Sequence, residues 1–263
     1  MEKKFSAFTL MEILTAMVIF VLVGTFVIPS IMKSSEKSLF STQLKKVNND
    51  IQQAMLVILA KNHSDYTTVC SADAAGAASN KCFRDELVKY LEPIVTYDNE
   101  NDVVGANAEK YEDYYGSEYF NKREFLNKTG FDYEADIVGI SQDTMAAAVL
   151  KNGASVNVVY NHLCNADMSD YLASANNSLP VCGIIEVDLN AQKGPNTIGK
   201  DIHYFWIVNK EGIIPFGEVD GLDCGVINNE GEYTTLPTKR GLDKVNLFGC
   251  TYRVFEDGKI TYF

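Results

Sequence analysis

An almost uncharged apolar run dominates the start of the chain. Between Phe8 and Met32 the only charged residue is Glu12, and about 20 mostly apolar residues follow it. An α-helix of that length crosses a bilayer, and two lysines precede the run. The pattern therefore predicts a transmembrane helix over residues 8–32. Its basic end should stay in the cytoplasm, with the C-terminal domain outside.

The next segment, residues 33–62, has apolar residues at steps of three and four. They are Phe40, Leu44, Val47, Ile51, Met55, Ile58 and Leu59. This spacing is typical of an amphipathic helix that packs one face on a core. We therefore predict one long helix from about Phe8 to Lys61, bent near Pro29. Two separate helices that break near Pro29 are the alternative.

Residues 63–134 interrupt the regular pattern and are interpreted as an insertion. Residues 64–80 are rich in Ala, Ser and Asp, which predicts a loop. Residues 84–91 predict a short helix that ends before Pro93. Residues 97–133 are acidic and rich in tyrosine, which fits either an aromatic ligand surface or rings packed on the domain.

The last part of the chain, residues 135–263, has the pattern of β-strands. Candidate strands are 155–160, 183–188, 204–208, 212–215, 252–255 and 260–263. The last two flank Asp257-Gly258, which is a strong hairpin signal. A helix followed by strands predicts an α+β fold, with the long helix packed on an antiparallel sheet.

Composition narrows the function. The 263 residues carry a formal net charge of −12, which argues against nucleic-acid binding because phosphate contacts need a basic patch. We find no sequence motif for a nucleophile elbow, a zinc protease, a phosphate-binding loop or a dinucleotide site. The chain is therefore not expected to be an enzyme.

The six cysteines are expected to form disulfides, because an even number beyond an apolar anchor is typical of an oxidising compartment. Sequential pairing would close three local loops. The predicted pairs are Cys70–Cys82, Cys164–Cys182 and Cys224–Cys250. Buried free thiols are the alternative for some of them. A zinc site is not expected, since no cysteines stand in a Cys-x-x-Cys pair.

Glu12 is unusual, because a carboxylate at the start of an apolar helix is costly and often functional. Its surroundings read Ala7-Phe8-Thr9-Leu10-Met11-Glu12-Ile13 after a short basic leader. This segment resembles the leader and N-terminal methylation segment of type IV pilins and pseudopilins. The resemblance covers about the first 35 residues. It departs from the family at Ala7, where the family strongly prefers Gly.

The resemblance implies how the chain is processed and assembled. Prepilin peptidase would remove residues 1–7 by cutting between Ala7 and Phe8, and would methylate the new amine of Phe8. Glu12 would pair with that amine on a neighbouring subunit, and Pro29 would bend the helix. The expected partners are other pilin or pseudopilin subunits, prepilin peptidase, an inner-membrane assembly platform and the membrane itself.

A loop at residues 188–201 is the candidate metal site. Asp188, Asn190 and Gln192 alternate before Gly194, and Asp201 follows. Alternating oxygen ligands on a tight loop suit calcium. The run resembles a loop found in many pilin-like and pseudopilin-like proteins, and some major pseudopilins hold calcium in a similar C-terminal loop. The alternative is a turn in which Asp188 and Asn190 bond nearby backbone N–H groups, and we favour it.

These observations favour a minor pilin or pseudopilin, located in the cytoplasmic membrane and then in a filament. A tip-located adhesion or ligand-binding module with the same anchor is the alternative. A membrane-anchored envelope enzyme is a third hypothesis, but no sequence motif supports it.

Overall fold

The computed structural model describes residues 9–70, 77–97, 110–112, 119–121, 146–165, 179–191, 199–219, 224, 226–227, 233–234 and 249–260. Its helices are α1 (Leu10–Lys61), a 3-10 turn (Tyr66–Thr68), α2 (Ala77–Val88) and α3 (Cys250–Asp257). The chain divides into two compact units, residues 1–39 and 40–263.

The prediction that the first half of the N-terminal helix spans a membrane is wrong. Among the residues that the structure describes, no helix is long and apolar enough to cross a membrane. The predicted fold class is corrected on this point.

In the unit of residues 40–263, the helical stripe faces the core. Leu44, Ile51, Met55 and Ile58 are fully buried, and Phe40 and Val47 are nearly so. Their spacing of three and four places them on one face of α1. The predicted apolar stripe is therefore the face that the domain buries.

The described strands are β1 (Pro93–Tyr97), β2 (Lys110–Glu112), β3 (Tyr119–Asn121), β4 (Ala146–Leu150), β5 (Ser155–Tyr160), β6 (Val181–Asp188), β7 (Ile202–Val208), β8 (Gly212–Pro215), β9 (Val226–Ile227) and β10 (Tyr233–Thr234). The main sheet has six antiparallel strands in the order β1-β4-β5-β6-β7-β8. Two short antiparallel pairs, β2–β3 and β9–β10, lie outside it. Every residue of β5, β6 and β7 is buried, so these central strands are covered on both faces.

Four predicted strands, 155–160, 183–188, 204–208 and 212–215, are confirmed as β5 to β8. The predicted C-terminal hairpin is wrong, because residues 250–257 form α3. Thr251 and Val254 are buried three residues apart, which fits a helix face. Gly258 has a φ of 74° and ends the helix as a left-handed cap. The Asp-Gly pair therefore stops a helix here instead of turning a hairpin.

Aromatic contacts join the helices to the sheet. Phe83 of α2 stacks on Tyr160 of β5 with 4.2 Å between ring centroids. Phe255 of α3 meets Phe205 of β7 edge to face at 6.3 Å. The side-chain amide of Gln52 in α1 donates to the carbonyl of Ile213 in β8 at 2.7 Å. Helices and sheet thus share a single core.

Candidate functional site: the N-terminal part of the first helix

Thr9 and Glu12 form a reciprocal cap at the start of α1. The Thr9 backbone N–H donates to Glu12 Oε2 at 2.7 Å, and the Thr9 hydroxyl donates to the same oxygen at 2.9 Å. In return, the Glu12 backbone N–H donates to the Thr9 hydroxyl at 3.3 Å. This is a capping box, in which the residue at the cap and the acid three positions later satisfy backbone N–H groups. Within its own chain, Glu12 therefore has a structural partner.

The sequence contained this signal. A Thr or Ser followed three residues later by Glu or Gln, just before an apolar run, marks a helix start. The cost of a carboxylate in an apolar run and the pilin resemblance both point to Glu12, but neither gives Thr9 a role. The carboxylate is placed by the cap, since both hydrogen bonds reach the same oxygen.

Apolar side chains surround this part of α1. Each residue from Thr9 to Val23 is exposed, including Phe20 at 77% and Leu10 at 75%. Large apolar groups lie on every side of the helix, so no single stripe faces a core. Helices that are hydrophobic all round are normally buried by other protein or by lipid.

The other residues predicted for processing and assembly are Ala7, Phe8 and Pro29. Ala7 and Phe8 fall outside the described residues, so cleavage between them and methylation of Phe8 stay predictions. Pro29 lies within α1, which continues through it as one helix. Its side chain is outside the description, and its bending role stays a prediction.

The structure contains three disulfides, and their pairing is the sequential one that the sequence predicts. They are Cys70–Cys82, Cys164–Cys182 and Cys224–Cys250. The first joins the segment just after the 3-10 turn to α2. The second joins the segment after β5 to β6. The third fastens the start of α3. All six sulfurs belong to the unit of residues 40–263, so they stabilise the domain and not the exposed helix.

The predicted metal residues come together in the connection between β6 and β7. Asp188 Oδ1 accepts the Asn190 backbone N–H at 3.0 Å, and the Asn190 side-chain amide donates to Asp201 Oδ2 at 3.0 Å. Both carboxylates are buried. The bond from Asn190 to Asp188 is the one that the turn alternative predicts. Calcium binding here stays an untested prediction.

Acids, histidines and cysteines do not gather into a metal cluster anywhere in the described part of the chain. His203 of β7 is fully buried beside the metal-candidate connection. Its Nε2 lies 3.3 Å from the Lys200 carbonyl, and its Nδ1 lies 3.5 Å from the Thr251 hydroxyl. Burial lowers the pKa of His203 to about 4, while the Lys200 carbonyl opposes that shift. The imidazole is therefore neutral near pH 7.

Comparison of this chain with known family models, with curated proteins and with solved structures finds no match.

Proposed function

We propose that this chain is a structural subunit of a type IV filament system, a minor pilin or pseudopilin built into the filament through the first part of α1. The observation that carries the proposal is the continuous exposure of Leu10 to Val23, a mostly apolar run that contains the capped acid Glu12. The resemblance of residues 7–13 to the pilin processing segment supports it.

Assembly gives the exposed helix a place to be buried. Burying one Leu, Ile, Phe or Met side chain contributes about 1.5–3 kcal/mol. A row of such side chains around α1 therefore favours packing against the same segment of neighbouring copies. Since apolar contacts are non-directional, they bind copies together without setting their register.

The charged groups supply that register. A carboxylate surrounded by apolar side chains gains most from a cation that is also withdrawn from water. In a bundle of identical processed subunits, the amine of Phe8 is such a cation. Glu12 pairs with it across the subunit contact and is held ready by the Thr9 hydrogen bonds.

The domain of residues 40–263 lies outside the cytoplasm. Three disulfides support this location, because such bonds persist in oxidising compartments. Prepilin peptidase trims the chain, and an assembly platform with its own ATPase supplies the work. The chain itself acts as a structural part and not as an enzyme.

The experiment compares Glu12→Gln with Glu12→Ala in cells that assemble filaments. A glutamine at this position keeps the capping box, whereas alanine removes it. Both variants lose the charge. We expect the wild-type chain in sheared filaments and both variants to be excluded from them, as measured by immunoblot and immunogold labelling.

Glu211→Ala is the matched control, because it removes one exposed acid from the turn between β7 and β8. It should enter filaments normally. Normal incorporation of Glu12→Gln would show that only the cap matters and would contradict the charge pairing. An intact leader on the native protein, measured by mass spectrometry, would contradict the processing step. Immunogold labelling only at tips would favour the adhesion module.

A further inference from the structure

A second site lies in the domain of residues 40–263, far along the chain from Glu12. It is an open cavity of about 600 Å³, within the usual range for small-molecule sites. One wall is the face of α1 around Asp50. The others are the turn from α2 to β1 and the turn from β4 to β5. The filament proposal does not use this cavity.

The floor of the cavity is apolar and buried. Ala54, Leu91 and Leu150 line it and are buried in the core of the domain. Tyr90 lies at its side, and the Lys61 ammonium donates to the Tyr90 hydroxyl and stands 5.0 Å from the ring centroid. This contact favours the position of the aromatic ring next to the floor. The cavity therefore offers an aromatic and aliphatic surface.

The rim supplies uncommitted hydrogen-bonding groups. Lys46, Asp50 and Gln53 lie on one face of α1, at steps of four and three residues. Among the described residues, none of the three makes a hydrogen bond or an ion pair. On this wall of the cavity, the Lys46 ammonium can donate hydrogen bonds, the Asp50 carboxylate can accept them, and the Gln53 amide can do both.

The charges around the cavity balance, although the whole chain carries −12. Two lysines, Lys46 and Lys151, face two acids, Asp50 and Glu92. The carboxylate of Glu92 and the ammonium of Lys151 already form an ion pair at 3.3 Å. A strongly charged ligand would meet as much repulsion as attraction here. A neutral ligand with many hydroxyl groups can donate to the acids and accept from the lysines and amides.

The backbone of Glu92 adds a further sign of a specialised wall. Its φ is 36°, a region that non-glycine residues rarely adopt, and Pro93 follows it. Strained residues of this kind cluster at ligand-binding positions.

We propose that this cavity binds a neutral saccharide. One sugar ring packs its apolar face on Tyr90 and the floor, and its hydroxyl groups bond Asp50 and Gln53. The partner is a carbohydrate chain outside the cytoplasm.

The test uses the full chain in a zwitterionic detergent that lacks a sugar head group. The probes are lactose, maltotriose, chitotriose and mannotriose, with glucose 6-phosphate and diglycine as charged comparators, followed by saturation-transfer NMR. We expect at least one neutral saccharide to bind with a Kd of about 1 mM or tighter. Val57→Trp fills the cavity and should abolish that signal. Gln53→Ala should weaken binding about tenfold, because it removes a bidentate amide.

Two controls separate the cavity from the rest of α1. Leu56→Trp puts the same bulky ring on the neighbouring exposed position outside the cavity, and Asn49→Ala removes an exposed amide there. Both should bind as the wild type does. The proposal is overturned if no neutral saccharide binds, if only the charged comparators bind, or if saccharide binding survives Val57→Trp.

Discussion

Lys45 and Gly258, 213 positions apart, meet where the last helix ends: Lys45 Nζ donates to the Gly258 carbonyl oxygen at 2.7 Å. A cation at this place satisfies a carbonyl that has no partner within α3. It also interacts favourably with the negative C-terminal end of the helix dipole. Ser41 makes a second contact nearby, since its hydroxyl accepts the Ile260 backbone N–H at 3.0 Å. The C-terminal helix is thus tied to α1 by polar contacts beside the apolar core.

Replacing Lys45 with methionine should loosen this attachment. The variant keeps the aliphatic stem but loses the donor, so the free energy of unfolding should fall by about 0.5–1.5 kcal/mol. Urea unfolding monitored by circular dichroism measures the change. Lys46→Met, which removes a neighbouring lysine without a bond to α3, is the control and should change stability by less. Equal losses in the two variants would contradict the role of the Gly258 contact.

Removing the cap at Thr9 should fray the start of α1. Thr9→Val loses the hydroxyl that bonds Glu12, and the expected cost to the helix start is about 0.5–2 kcal/mol. Faster amide hydrogen exchange over the first turn is the expected result. Thr15→Val is the control, because Thr15 only donates to the Met11 carbonyl one turn back. If exchange in the first turn is unchanged in Thr9→Val, the capping box does not hold the helix.

The pKa of His203 predicts a loss of stability in acid. Its folded pKa is about 4 and its ordinary value is 6.5. Between these values the unfolded chain binds the proton more tightly, so lowering the pH from about 6.5 to about 4 favours unfolding. The contribution lost is about 3 kcal/mol. Urea midpoints measured across this range should show the slope. His203→Gln should flatten it, while His63→Gln, at an exposed histidine, should not.

The disulfides should differ in what they contribute. Removing a pair by double substitution with alanine should cost about 2–4 kcal/mol in each case. Cys224–Cys250 spans 26 positions and Cys70–Cys82 spans 12. The longer loop should therefore contribute about 0.7 kcal/mol more through the entropy of the unfolded chain. Unfolding of the two double variants under one buffer measures the difference, and a larger loss in Cys70→Ala/Cys82→Ala would contradict it.

Calcium should leave the melting temperature unchanged. Asp188 already accepts a hydrogen bond from the Asn190 backbone, and Asp201 accepts one from the Asn190 side chain. These two carboxylates are therefore satisfied without a metal ion. Differential scanning calorimetry with excess calcium and with chelator checks this. A rise in melting temperature with calcium that Asp188→Asn removes would contradict the turn interpretation and support a metal site.

Periodicity and loop closure predicted much of the domain. The buried stripe of α1 and strands β5 to β8 follow from short-range periodicity. The sequential cysteine pairing, one of the 15 that six cysteines allow, is confirmed. The sequence pattern did not predict strands β1 and β4. β1 is mostly exposed at an edge, and Ala146–Leu150 contains three alanines, which have weak strand preference.

The Asp257-Gly258 pair predicted a hairpin where the structure has the end of a helix. Glycine occurs both in hairpin turns and at helix ends, and only tertiary contacts select between them.

The candidate sites were predictable to different degrees. Glu12 stood out because a charge in an apolar run is rare, but its bond to Thr9 required the capping-box rule to be applied. The cavity near Asp50 left no sequence signal, since its walls come from three separated segments that only the fold brings together.

The short spans of the disulfides have a consequence for how the domain matures. Each pair joins neighbours in the chain, 12, 18 and 26 positions apart, and none ties the first half of the domain to the last. If the domain is exported from its N-terminal end onward, as the proposed location outside the cytoplasm requires, each pair can close as soon as its own segment has crossed. Oxidation can then proceed in chain order, with little need for an isomerase to rearrange wrong partners.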